Sequence, residues 1–155
     1  MRPARRTFSI LIVLAAALCA QTNSWKKISY LGGTITGAPN PYDWNTTLTV
    51  TPQAITLVIA YGKPVKIEPS RVTALSYGEE ASRRVGAMAA LAVMTFNPAA
   101  LFGILHSSRE HFIGIEFRGD DGKQASVLLL AHKDNYRAVL DALKAATGKP
   151  VENAR

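Results

Sequence analysis

Val85–Leu105, VGAMAALAVMTFNPAALFGIL, is a run of twenty-one residues without a charge. Arg83 and Arg84 precede it, and His106 and Arg109 follow it. Segments with strand-like alternation lie on both sides, so the run reads as an apolar insert inside a β domain. As one helix it would reach about 30 Å, enough to cross a bilayer core. Asn97-Pro98 sits near its middle. Asn is a good N-cap, and Pro fits a first helical turn, where its missing N–H costs nothing. The spacing therefore predicts two short helices, about 83–95 and 98–105, with a break at Phe96-Asn97. Neither arm alone can span a membrane. Gly86 with Ala90, and Ala99 with Gly103, are small-xxx-small pairs that allow close helix approach. The larger apolar groups are Val85, Met88, Leu91, Val93, Met94, Phe96, Leu101, Phe102, Ile104 and Leu105. At roughly 0.3–0.6 kcal/mol for each Leu, Ile, Phe or Val, insertion into lipid is marginally favourable.

The first twenty residues stand apart from the domain. Arg2, Arg5 and Arg6 make a positive start, and Phe8–Ala20 is an apolar stretch of thirteen residues, too short to span. Small residues near Ala20 and the polar Gln21-Thr22-Asn23-Ser24 complete the pattern of a secretory signal peptide, with an uncleaved anchor as the alternative. Arg5-Arg6-Thr7-Phe8 also resembles the core of a twin-arginine export signal, with Ala4 and Ile10 where Ser and Lys often stand. Cys19 is the only cysteine. Leu18, not a small residue, precedes it, which departs from a lipidation signal, and cleavage after Ala20 removes it. The mature chain would then have no thiol, so packing alone must stabilise it. The expected location is outside the cytoplasm, periplasmic or extracellular.

The formal charge is +7 for the whole chain and +4 for residues 21–155, with fifteen basic residues against eleven acidic. That bias suits an anionic membrane surface. It is too diffuse for nucleic acid, and no Lys/Arg run with interleaved aromatics supports one.

From Trp25 to Tyr77 the pattern is β. Lys27–Leu31 is a strand candidate ended by Gly32-Gly33, and Thr34–Thr36 a second start. Thr46–Thr51 alternates, Ile55–Tyr61 is more continuously apolar, and Val65 with Ile67 forms a short strand. Pro69-Ser70-Arg71 predicts a turn or single helical turn before the strand Val72–Tyr77. Beyond the insert, Phe112–Arg118 places Ile113, Ile115 and Phe117 on one face and Glu116 and Arg118 on the other. Gly119-Asp120-Asp121-Gly122 is hairpin chemistry, returning as Ser126–Leu130. Asp134 is a candidate N-cap for a last helix ending at Thr147. Tyr136, Val139, Leu140 and Leu143 form its apolar face, Gly148 stops it, and Pro150 follows.

Short antiparallel strands closed by one amphipathic C-terminal helix resemble the pleckstrin-homology-like (PH-like) fold, including its bacterial and GRAM-type relatives. The residues that carry the resemblance are Leu48–Val50, Ile55–Val58, Lys66–Leu75, and the Phe112–Leu130 hairpin feeding Tyr136–Leu143. Glu68 stands where those relatives have an apolar residue before the Pro. The resemblance implies a mainly β (α+β) domain: an antiparallel barrel or sandwich with an inserted apolar helical hairpin and a C-terminal helix. It covers about residues 45–148, with the insert at 83–109, an extension or first strands at 21–44, and a tail at 149–155. Phosphoinositide-binding members place basic residues around their first loop. Gly32–Trp44 has none, so that activity is not carried over.

Catalytic signals are thin. His106 and His111, flanking Ser107 to Glu110, would need a third ligand, such as Asp120 or His132, to hold a metal. Asp120-Asp121 fits turn chemistry better than an acid/base pair. No Ser-His-Asp order carries a nucleophile-elbow signature, and the glycine pairs lack a phosphate-cradle context. Trp25, Tyr42 and Trp44 cluster near the start of the domain, facing the core or a partner.

The expectation is an exported, non-enzymatic binding or scaffold domain without a cofactor. It contacts a membrane surface or protein partner through Val85–Leu105, with Arg83, Arg84, Met88, Leu91, Phe96, Leu101, Phe102 and Arg109 as contact residues. One rival is a small exported hydrolase or metal enzyme using the His106–His111 loop. Another makes the insert an internal cap or a homo-oligomer interface.

Overall fold

The computed structural model describes residues 22–35, 40, 42–91 and 110–153, with the side chains of 88–91 outside that description. Eight strands form one sheet: β1 Asn23–Gly33, β2 Thr46–Val50, β3 Ile55–Val58, β4 Val65–Ile67, β5 Val72–Tyr77, β6 His111–Arg118, β7 Gln124–Ala131 and β8 Val151–Asn153. The order across the sheet is β4-β3-β2-β1-β7-β6-β5-β8. Among the described residues two helices accompany it, α1 Glu79–Leu91 and α2 Tyr136–Thr147, and Pro69–Arg71 makes a single 3-10 turn before β5. This is a mainly β, α+β architecture with an open pairing order. The sheet is mixed rather than wholly antiparallel, because β8 runs parallel to β5. Residues 151–153, expected as tail, are thus an edge strand.

The inner face of the sheet holds the main core. Ile28, Tyr30, Leu48, Ile55, Leu57, Leu75, Ile113, Ile115, Val127 and Leu129 meet there with Val139 and Leu143 of α2. The alternation in β2, with Leu48 and Val50 buried and Thr47 and Thr49 less so, is that of a strand with one face in the core. Three strands break that pattern. β1 from Ile28 onward, the centre of β6 and most of β7 are buried on both faces. Their second face carries Leu31, Phe112, Leu128 and Leu130, and α1 covers it with Ala81 and Val85.

α2 matches its periodicity: Val139 and Leu143 are fully buried, and Leu140 packs at the margin. Its N-cap is Asn135 rather than Asp134. The Asn135 amide instead donates to the Lys26 carbonyl, tying the helix start to β1. Gly148, at φ 67°, donates its N–H to the Lys144 carbonyl and ends the helix.

Three boundaries differ from expectation for local reasons. β1 runs through Gly32-Gly33 instead of stopping there. At Gly33, φ is +146° and a Cβ would lie 2.2 Å from the Ser126 carbonyl oxygen, so only glycine lets β1 and β7 stay this close. Thr34 starts no new strand; its N–H donates to the Ser126 carbonyl at 2.8 Å. β3 ends at Val58, because Ala60 and Tyr61 take φ values of 44° and 61° in the turn.

Candidate functional site

The β5–β6 connection, residues 78–110, contains the uncharged run. β5 and β6 are antiparallel neighbours, with Tyr77 opposite Ile113. The Gly78 N–H donates to the Phe112 carbonyl at 2.9 Å. Both ends of the connection therefore leave from the same end of one strand pair.

α1 starts at Glu79, earlier than residue 83. Gly78, at φ 69°, makes the corner, and Glu79 and Glu80 place acid in the first turn, where the helix dipole favours it. Ala81 and Val85 are fully buried. The helix lies close over β6 because residue 114 is glycine: a Cβ there would lie 2.4 Å from Ser76 Oγ and 3.2 Å from the Ala81 Cβ.

The two arginines at the start of the run divide. Arg83 points outward, with 77% of its side chain exposed, and pairs with Glu80 one turn back. Arg84 turns inward. Its Nε donates to Glu116 at 2.7 Å, and its Nη1 donates to Glu152 of β8. Glu116 is 7% exposed, so Arg84 neutralises a buried carboxylate and is not a free surface cation. Val85 is core. Met88 and Leu91 lie within α1, but their side chains are outside the described residues, as are Phe96, Leu101, Phe102, Arg109, His106 and the Asn97-Pro98 break. The segment 1–21 with Cys19 also lies outside them. Among the described residues, no helix is long and apolar enough to cross a membrane.

The connection re-enters the sheet at an aromatic stack. The His111 ring lies on Tyr136 of α2, with centroids 3.7 Å apart and planes 6° apart. Tyr77 is 5.7 Å from Tyr136, and its hydroxyl shares a 2.7 Å hydrogen bond with His111 Nδ1. Burial holds the His111 imidazole below its usual range; Glu110 opposes the shift, while Arg137 and His132 reinforce it. His132 lies at the same end of the sheet, against Asp134 at 3.0 Å, with Trp44 edge-on to its ring at 6.1 Å.

Of the two third ligands considered for His106 and His111, Asp120 lies far from His111, and His106 itself is outside the described residues. Asp120 sits in the β6–β7 turn, beyond the opposite end of β6 from His111, and is paired with Arg71. Asp121 accepts the Lys123 N–H in the same turn. Among the described residues, no three His, Cys, Asp or Glu side chains are placed to hold a metal. Trp44 is partly exposed and Tyr42 largely so, while Trp25 packs at the core margin. An open cleft of about 530 Å³ lies between β4 and the β6–β7 turn. Within it Arg71 is taken by Glu68 and Asp120.

Two features escaped the sequence reading: the Arg84–Glu116–Glu152 triad and the Tyr77–His111–Tyr136 stack. The first had a faint signal. Phe112, Gly114 and Glu116 alternate on one face of β6, apolar, then empty, then acid, which is the footprint of a helix carrying a base.

No protein-family model matches this sequence, and no curated protein matches it. Among solved structures, the chain is similar to the C-terminal phosphotyrosine interaction domain of mouse APBB2. That match has a TM-score of 0.51 at 10% identity, covering 97% of this chain and 94% of the other. The chain is also similar to part of the Spt16D–Pob3N heterodimer, at TM-score 0.46 and 11% identity, over 86% of this chain. It spans 54% of that chain's length. The APBB2 match runs nearly end to end and shows the fold alone, which is PH-like.

Proposed function

We propose that this is an exported, non-enzymatic interaction domain that displays the Val85–Leu105 run, apart from its buried first residue Val85, from one end of the β5–β6 pair to a membrane surface or protein partner. One observation carries the proposal: Tyr77 pairs with Ile113, so both ends of the 78–110 connection that contains the run leave one strand pair at the same end. A single crossing would put a bilayer between strands that must sit about 4.8 Å apart. The pairing thus argues against a single crossing, and the lack of charge in the run supports contact with a surface. Arg83, outward at the entry, and Arg109 at the exit suit an anionic face.

The APBB2 relative is by its description an interaction domain, and this chain takes only that general class from it. Export rests on the Arg2–Arg6 start and the short apolar stretch to Ala20. The direct test is flotation of the mature chain with phosphatidylcholine vesicles, with and without phosphatidylglycerol. The proposal expects co-flotation that weakens when Phe96 and Phe102 become Ser. If flotation fails and the chain is a dimer with or without detergent, the run is instead a homo-oligomer interface.

A further inference from the structure

The C-terminal strand is engaged on two sides. Val151, Glu152 and Asn153 pair in parallel with Leu75, Ser76 and Tyr77, closing the edge that β5 would otherwise present. From the same three residues, Glu152 reaches across to Arg84 of α1. Arg84 is thereby shared between the buried Glu116 of β6 and the tail.

The two attachments differ in strength. A three-residue parallel strand is short, its Glu152 and Asn153 are exposed, and only Val151 is seated, beside Tyr77 and Leu140 in a shallow recess. Its neighbour β5 pairs with β6 from Val72 to Tyr77, with one irregularity between Val72 and Ala74. α1 in turn buries only Ala81 and Val85 fully among its described side chains, so the Arg84 ion pairs are a sizeable part of its hold on the sheet.

We propose that β8 is a releasable strap that closes the β5 edge and fastens α1 at the same time. When β8 leaves, the β5 edge opens and Arg84 loses one of its two carboxylates. The root of the 78–110 excursion then loosens while the β1–β7–β6 core stays intact. The effect on presentation of the apolar run rests on the function proposed above; the strap itself does not.

The test is residue-resolved amide hydrogen exchange on the full mature chain. Val151→Asp is expected to speed exchange in β5 and in Ala81–Val85 together, by about tenfold or more, with Leu128 and Leu129 unchanged. Glu152→Gln leaves strand pairing in place and is expected to speed α1 alone, by about threefold, as a partly exposed ion pair allows. Faster exchange in β5 with α1 unchanged would overturn the coupling. Equal acceleration everywhere, Leu129 included, would make β8 an integral strand and not a strap. If Val151→Asp does not fold, an unchanged α1 in Glu152→Gln overturns the proposal by itself. Coupled exchange without any change in flotation on phosphatidylglycerol vesicles supports the strap and removes its effect on presentation of the apolar run.

Discussion

The two faces of the β6–β7 hairpin are held by different physics. The inner face presents Ile113, Ile115, Phe117, Val127 and Leu129 to the main core, where α2 adds Val139 and Leu143. It is a packed apolar interior, and its stability comes from area removed from water. The outer face presents Phe112, Gly114, Glu116, Ser126, Leu128 and Leu130 to α1. There a helix approaches closely over a glycine and is fixed by a charge. The inner face builds the domain; the outer face holds the root of the apolar run at a defined place.

The inner face should be the more costly to damage. Leu143→Ala removes a fully buried side chain and is expected to cost about 2–5 kcal/mol. Leu140→Ala, at the margin, should cost less, and Arg137→Ala or Lys144→Ala about 0.5 kcal/mol or less. Denaturant melts that show equal losses at all four positions would erase the distinction between core and surface on α2.

The outer face should break locally. Gly114→Ala drives a Cβ against Ser76 Oγ and Ala81 and is expected to cost about 1–3 kcal/mol. Nuclear magnetic resonance should show the shift changes in α1 and β5, with the β1–β2 pairing unmoved. Changes centred on α2 instead would mean that the two faces are one cooperative unit.

Arg84→Ala leaves the buried Glu116 without a cation and should cost about 1–2 kcal/mol, discounted for the partial exposure of Arg84. Adding Glu116→Gln should recover part of that loss. Arg83→Ala, on the exposed arginine, should stay within about 0.5 kcal/mol. Equal effects of the two arginine substitutions in urea melts would remove the triad from the account.

The remaining effects are in pH dependence, and they have opposite signs. Burial depresses the His111 pKa, so the unfolded chain binds more protons just below about pH 6.5. Stability should fall as pH drops through that value and level off below the folded pKa. His111→Phe should flatten this step in melts compared at about pH 5 and about pH 8. Tyr30 works at the alkaline end: burial pushes its pKa from 10.0 up to about 12. Its contribution is present below 10.0 and lost as pH rises toward about 12, and Tyr30→Phe should remove that loss.

The inner face was legible because its signals are periodic. Alternation found β2 and β6, the i, i+3, i+4 pattern found α2, and Gly148 marked its end at φ 67°. The outer face was not, because close approach and ion pairing join residues far apart in sequence. Arg84 and Glu152 are 68 residues apart, and neither reveals its partner locally. Gly32-Gly33 looked like a stop, since a glycine required by a neighbouring strand reads like one required by a turn. β8 was hidden by length, as three residues carry no period. At the candidate site, the place of the uncharged run between β5 and β6 was readable from the strand patterns on either side of it. The inward turn of Arg84 and the placing of His111 against Tyr136 needed the tertiary fold.

The central claim is that the apolar run leaves and re-enters the domain on one side of any membrane it meets. Ser82 is a poor reporter, being buried and donating to the Glu79 carbonyl, so the entry probe belongs at Arg83, which faces outward. Arg83→Cys and Ser108→Cys, each in a Cys19→Ala background, are to be treated with a membrane-impermeant thiol reagent from the outer side of intact cells, with any outer membrane permeabilised. The account predicts that both sites label. Labelling of only one would place a bilayer between β5 and β6 and contradict the pairing of Tyr77 with Ile113.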